Sequence, residues 1–240
     1  MARPKKESPT RLAIIRVAID LFFEKGFSNT TAAAVCREAD IGTGNFTFYF
    51  PTKEHILDVL VTMLCDYQWK LIEEYTDEGQ SSLLCYCLEL ATMASVSDEI
   101  EQMRDFFVSA YSHPMTLENI RANDVEKMKL VFGTFCPDWT DEQFIEAEAI
   151  VSGIEYATLM ITKHSAPLPK RIDGALSAIM KLFNVPEDLR RMKVQKVLAM
   201  DYAAIGRRVF ADFKQYVSQT NEKAIEDLLT TYHIKEVDEE

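Results

Sequence analysis

TTAAAVCREADIGTGNFTFYFPTK, residues Thr30 to Lys53, decides the fold. Ala32, Ala33, Ala34, Cys36 and Ala39 are small, Val35 is the inward apolar residue, and after Thr30-Thr31 they predict a short helix over about Ala32 to Ala39. Asp40-Ile41-Gly42 predicts a tight turn. Thr43 to Tyr49 then predict a second short helix, ended at Phe50-Pro51-Thr52 because Pro51 cannot continue it and biases Phe50 away from helical geometry. Two short helices joined by a glycine-containing turn, behind a longer one, are the parts of a helix-turn-helix, whose last helix can enter a DNA major groove.

Upstream, Ser8 is set to cap and Pro9 to open a first helix whose stripe is Leu12, Ile15, Ile19 and Phe22, with Gly26 as its stop. Phe22, Phe27, Val35, Ile41, Phe46 and Phe50 form a candidate mini-core. Downstream, Thr52 is placed to cap a long fourth helix over Lys53 to Tyr75, carrying Leu57, Leu60, Val61, Leu64 and Leu71 at helical spacing. After Asp77-Glu-Gly79 the periodicity predicts helices near 81–96, 98–112, 116–135, 140–164, 170–183, 186–218 and 221–232, with Pro114, Pro137, Pro167, Pro169 and Pro186 supplying most breaks. The pattern holds no persuasive strand, repeat or low-complexity segment. The expected fold is all-α: an N-terminal three-helix helix-turn-helix DNA-binding domain, residues 1–55, followed by a larger helical ligand-binding and dimerisation domain, residues 56–240.

Charge divides the chain at the same place. The net charge of −12 over 240 residues argues against nucleic acid as a partner until it is split. Residues 1–55 hold eight Lys/Arg and six Asp/Glu, whereas the remainder holds 18 and 32. Phosphate binding needs a local basic face rather than a basic protein. The N-terminal Arg3, Lys5 and Lys6 fit an arm along a DNA backbone, or equally a solvated terminus. Uncharged stretches such as Ile41 to Thr52 fall far short of the roughly 20 apolar residues a membrane span requires. No signal-peptide core follows Met1, so a cytoplasmic protein with no membrane partner is expected.

Five cysteines, Cys36, Cys65, Cys85, Cys87 and Cys136, are odd in number and lie in apolar helical segments, which fits reduced core thiols. Cys85-Tyr-Cys87 points to different faces of a helix with no histidine nearby, so no metal is expected. Four histidines, His55, His113, His164 and His233, share no metal-spaced pair, nucleophile elbow or phosphate loop, so neither an enzyme nor a cofactor is expected.

The N-terminal residues resemble a family. Arg11-x3-Ile15-x2-Ala18-x2-Leu21-Phe22-x-Glu24-x-Gly26-Phe27-x2-Thr30-Thr31-x3-Val35, then Ala39-x-Ile41-x2-Gly44-x-Phe46-x2-Tyr49-Phe50-x2-Lys53-Glu54-x2-Leu57, is similar to the N-terminal domain of TetR/AcrR-type bacterial transcriptional regulators. The resemblance implies that Thr43, Asn45, Thr47 and Tyr49 face the groove, that Lys53 binds a phosphate, and that Thr31 and Ala32 lie near the other backbone strand. Two positions depart from the family pattern: Gly42 stands where a serine is usual, weakening the cap of the recognition helix, and Thr47 where a tyrosine is usual. Phe48 and Tyr49 are placed to compensate. Tyr49 also has a plain packing role open to it, and Lys53 a solvated one.

One short recognition helix reads few base pairs, so specificity implies two copies about one DNA turn apart, hence a homodimer on double-stranded operator DNA. Helices 140–164 and 170–183 are apolar on more than one face and are the candidate interface, with 186–218 as a rival. The middle helices are rich in Met and aromatic residues, among them Trp69, Tyr86, Met103, Phe107, Tyr111 and Met128. These suit the lining of a pocket for a small, largely apolar effector, or an ordinary core. The expected function is a ligand-responsive regulator, by resemblance a repressor. The alternative is a helical DNA-binding protein that works through a protein partner or in chromosome organisation and senses no small molecule.

Overall fold

Apolar residues recurring every three to four positions set the helices, and polar caps, glycine and proline separate them. The computed structural model describes residues 11–76 and 82–231. The first three helices are α1 (Arg11–Lys25), α2 (Ala32–Glu38) and α3 (Thr43–Tyr49), and α4 (Lys53–Glu73) runs on from them. The rest of the chain folds as α5 (Leu83–Glu99), α6 (Glu101–Ser112), α7 (Pro114–Phe132), α8 (Asp141–Leu159), α9 (Leu168–Leu182), α10 (Glu187–Leu198), α11 (Tyr202–Gln219) and α12 (Glu222–Thr231), with one 3-10 turn at Gly133–Phe135. Among the described residues there is no strand, and the all-α class stands. The proposed cap at Ser8, Pro9 and the basic arm Arg3, Lys5 and Lys6 lie outside the described residues, as do Asp77 to Gly79 and His233.

The predicted stripe Leu12, Ile15, Ile19 and Phe22 is buried, and Gly26, at φ +92°, ends α1 in a conformation that only glycine adopts cheaply. Thr31 caps α2 by accepting from Ala34 N at 3.1 Å. Thr52 occupies the N-cap position of α4, but its side chain caps no backbone N–H and instead lies 3.0 Å from His55 Nδ1. The α2–α3 turn forms at Asp40-Ile41-Gly42, as expected. The left-handed residue is Asp40, φ +53°, with Ile41 N donating to Cys36 O across it, while Gly42 is extended at φ −77° and merely precedes α3. An aspartate tolerates that backbone better than most side chains, which is how the turn closes without glycine.

α5 is the axle of the remainder. Leu83 to Val96 are buried on nearly every side, and α4, α6, α8, α9, α10 and α11 all pack on it. Gly206 of α11 allows the closest of these approaches: a Cβ there would meet Val96 Cγ2 at 2.7 Å and Thr92 O at 2.9 Å. At one end Phe132 stacks on Phe183 at 4.2 Å, flanked by Trp139 and Phe144. All five cysteines are free thiols, and only Cys65 is less than fully buried.

Two helices depart from the sequence expectation by more than three residues. The single helix over 186–218 is two, because the backbone tightens at Met200 N to Val197 O and Asp201 recaps the chain by accepting from Ala204 N at 3.0 Å. The helix over 140–164 starts on a capping box between Thr140 and Gln143 and stops at Leu159, five residues early, where Thr162 N turns onto Ser165 Oγ at 2.8 Å. No helix of the described residues is long and apolar enough to cross a membrane.

Candidate DNA-reading face and core cavity

Phe22, Phe27, Val35, Phe46 and Phe50 are buried at the junction of α1, α2 and α3, with Ile41 half-buried beside them, and Phe27 sets its edge against Phe22 at 5.0 Å between ring centroids. That core uses one side of α3. The other side is bare: Thr43, Gly44, Asn45, Thr47 and Phe48 are exposed, Phe48 to 81%. Thr47 turns its hydroxyl back to Thr43 O at 3.1 Å and Gly44 O at 3.3 Å, so it presents mainly its methyl. Tyr49 is half-buried, edge-on to Phe48 at 5.0 Å. Thr31 is exposed at the start of α2 and Ala32 half-buried. Phe48 is the member of this face that the sequence reading named only as a compensating residue; its signal was a large aromatic at a position the mini-core does not use.

Lys53, which the resemblance assigns to a phosphate, is engaged within its own chain. Its Nζ donates to Phe27 O and Thr30 O, each at 2.9 Å, and lies 4.1 Å from the centroid of the Phe27 ring. It therefore ties α4 to the α1–α2 turn. Asp105 of α6 grips the same turn, accepting from Ser28 N at 2.8 Å and Ser28 Oγ at 2.5 Å. α1 is held from a third side by the C-terminal helices: Leu12 N donates to Glu222 Oε1 at 2.9 Å, Arg16 to Thr220 O at 2.9 Å, and Lys214 pairs with Asp20 at 2.8 Å.

Below this head, α4 to α8 enclose a cavity of about 40 Å³. Of the predicted effector-binding residues, Tyr86, Phe107 and Tyr111 line it. Trp69, Met103 and Met128 are not on its wall: Met103 and Met128 are buried in packing, and the Trp69 ring lies under Lys127 Nζ at 4.3 Å. The cavity is also more polar than a Met and aromatic stripe implies, for Glu89, Asp124, Lys127 and Glu155 project into it. Glu155 accepts from Tyr86 Oη at 3.0 Å and Tyr111 Oη at 2.8 Å. Lys127 pairs closely with Glu89 and lies 3.8 Å from Asp124. Burial, reinforced for Glu155 by the charge of Asp124, lifts the Glu89, Asp124 and Glu155 carboxyls above their ordinary values. Burial works against the Lys127 charge, but Glu89 and Asp124 outweigh it and hold that ammonium more basic than usual. The signal for these residues was charge at inward positions of a helical stripe, as with Glu89 between Leu88 and Leu90.

A compact trihelical head with a short, uncovered third helix has the layout of a helix-turn-helix. Residues 14–60 match the family described as bacterial regulatory proteins, tetR family. Over 93 residues, 39% of this chain, it is 29% identical to the HTH-type transcriptional regulator YuxN of Bacillus subtilis (strain 168), and the aligned stretch spans 31% of that relative's length. Solved structures that the chain matches include a gamma-butyrolactone receptor (ArpA-like protein), with 17% identity, TM-score 0.42 and coverage of 84% of this chain and 97% of that one. Another is the TetR family protein CprB from S. coelicolor A3(2), with 17% identity, TM-score 0.38 and coverage of 85% and 96%.

Proposed function

We propose that the chain is a ligand-responsive repressor that binds a two-fold symmetric operator as a homodimer and leaves it when a small effector enters the cavity. Residues 1–55 serve as the DNA-reading head and 56–240 as the effector-binding and dimerising part. The observation that carries this reading is the bare face of α3, where Thr43, Asn45, Thr47 and Phe48 are exposed together on a helix anchored from behind by Phe46. Short polar and aromatic groups at that face suit base edges and thymine methyls, and Thr31 and Lys53 are assigned to the flanking backbone.

For dimerisation the support lies in α8 and α9. Ile145, Ala149, Ile150, Gly153 and Ala157 are exposed along α8, and Gly174 and Ala178 along α9. Small residues between exposed isoleucines permit close approach of a second helix pair. Coupling runs through two helices that touch both sites. α4 carries Lys53 at the head and Val61, Leu64 and Cys65 at the cavity, and α6 carries Asp105 at the head and Phe107 and Tyr111 at the cavity. An effector that wedges α4 from α6 changes the spacing of the two heads, and a ligand favouring one spacing shifts the dimer off DNA.

Selection of bound fragments from random duplex DNA tests the reading. It is expected to return inverted half-sites with centres about 10 base pairs, or a multiple, apart. Enrichment of no sequence, or of a single unsymmetric site, overturns it. The small cavity favours a second reading, in which the chain answers to a protein partner and no small molecule; a protein whose affinity for the selected DNA no small-molecule collection alters would establish that one instead.

A further inference from the structure

Carboxyl groups outnumber cations around the cavity. Three carboxyls, Glu89, Asp124 and Glu155, face one ammonium, Lys127; the side chains of Glu89, Asp124 and Lys127 are 8%, 11% and 16% exposed, and Glu155 is buried. Glu89 takes Lys127 in a close pair, and Glu155 takes the two tyrosine hydroxyls. Asp124 is left without a hydrogen bond among the described residues: its nearest cation is Lys127 at 3.8 Å, beyond hydrogen-bond reach, and its residue is 8% exposed. A buried carboxylate with no donor is costly, and so is a cluster of them.

We propose that the cavity binds a protonated amine with an apolar body, whose ammonium group donates to Asp124 and Glu155. The inference rests on the effector reading above and names the chemistry of that effector. An anion would meet three carboxyls and a lysine already taken, and a neutral molecule would leave Asp124 uncompensated. A metal ion is a poor alternative, since among the described residues no three His, Cys, Asp or Glu side chains converge closely enough to hold one. An ammonium group brings three donors into a space where two carboxyls await them. At about 40 Å³ the cavity has room for about three waters, which an ammonium group replaces. The body of the ligand must displace a wall, and Met93, half-buried and flexible, is the side chain best able to yield.

The test uses the full chain with hexylamine and 2-phenylethylamine, their matched alcohols hexanol and 2-phenylethanol, and the acids hexanoate and 3-phenylpropionate. Binding is followed by calorimetry and by thermal unfolding. At least one amine is expected to bind and raise Tm, with the matched alcohol and acid at least tenfold weaker, and Asp124→Asn is expected to weaken the amine at least tenfold. Equal binding by alcohol or acid, binding by neither amine, or unchanged amine affinity in Asp124→Asn overturns the inference. Should Asp124→Asn not fold, the comparison of amines with alcohols and acids on the unaltered chain decides it. The two readings fail separately. An alcohol or acid that binds and frees the chain from its selected DNA removes the amine and leaves the sensor; an amine that binds without changing DNA affinity leaves the site and removes the sensor.

Discussion

Lys53 shows how a residue's role changes once its neighbours are known. The resemblance assigns it to a DNA phosphate, yet two of its three ammonium protons go to Phe27 O and Thr30 O. Lys53→Met keeps the stem and removes those bonds. It is expected to cost about 1–3 kcal/mol of stability, the usual worth of charged hydrogen bonds. It should also weaken binding to all DNA sequences alike and flatten the logarithmic salt dependence by about one unit. A lowered Tm with an unchanged salt slope would mean that Lys53 only braces the turn. Asp40 offers a second test at this scale. Its φ of +53° suits glycine best, so Asp40→Gly should preserve or slightly raise Tm, whereas Asp40→Val should destabilise by about 1–2 kcal/mol, both measured by thermal unfolding. The sequence marks Asp40-Ile41-Gly42 as the turn, but no local pattern says that the aspartate is the residue that takes the left-handed backbone.

Helices were legible wherever one face alternates with another. α1 to α4 came from apolar stripes closed by Gly26, Asp40 and Pro51, so each end had a chemical mark. α10 and α11 were read as one because their stripes run in phase across Ala199 to Asp201 with neither glycine nor proline between them; only the cap at Asp201 marks the break. The cavity was half legible for a related reason. Tyr86, Phe107 and Tyr111 belong to stripes, but whether a stripe meets a void or another side chain depends on which helices oppose it, and Met103 and Met128 met side chains. Contacts between distant segments leave no periodic trace at all, and the clamp on α1 is one of them. Glu222 supplies an acceptor to Leu12 N across 210 positions of sequence, and Thr220 O takes Arg16. Glu222→Ala is therefore expected to leave a helix-end N–H without its acceptor and to cost about 1 kcal/mol, a drop in Tm of about 2–4 °C. Faster hydrogen exchange confined to the first turn of α1 would accompany it. Unchanged protection there would show that the bond contributes nothing in solution.

For the molecule as a whole, burial of acid predicts how stability follows pH. Glu148, 1% exposed, is pushed from its ordinary 4.5 to about 8 by burial and the nearby Asp124 charge, against the partial relief of Arg121. The folded chain thus holds a proton that the unfolded chain has already lost, so this contribution is intact below about pH 4.5 and is lost as pH rises towards 8. Glu148→Gln should remove that slope, gaining up to a few kcal/mol relative to the parent at pH 8 and little at pH 5, on the order of 1.4 kcal/mol for each tenfold difference in proton affinity between the folded and unfolded chain. Denaturant titrations at the two pH values check it. The outer face of α8 decides a larger question. A Cβ on Gly153 meets nothing within 4 Å in its own chain, so a side chain there costs a single subunit no contact, and replacing an exposed helix glycine favours the helix by roughly 1 kcal/mol. In a dimer joined through α8 and α9, the same side chain would sit between two closely approaching helices. Gly153→Arg should therefore yield a monomer by light scattering, with Tm for the subunit preserved. Losing the second head turns a bivalent contact into a single one, so affinity for a two-half-site DNA should fall by about 10²–10⁴-fold while affinity for one half-site stays as it was. A variant that remains dimeric and keeps its DNA affinity would move the interface elsewhere, and the exposed isoleucines of α8 would then need another partner.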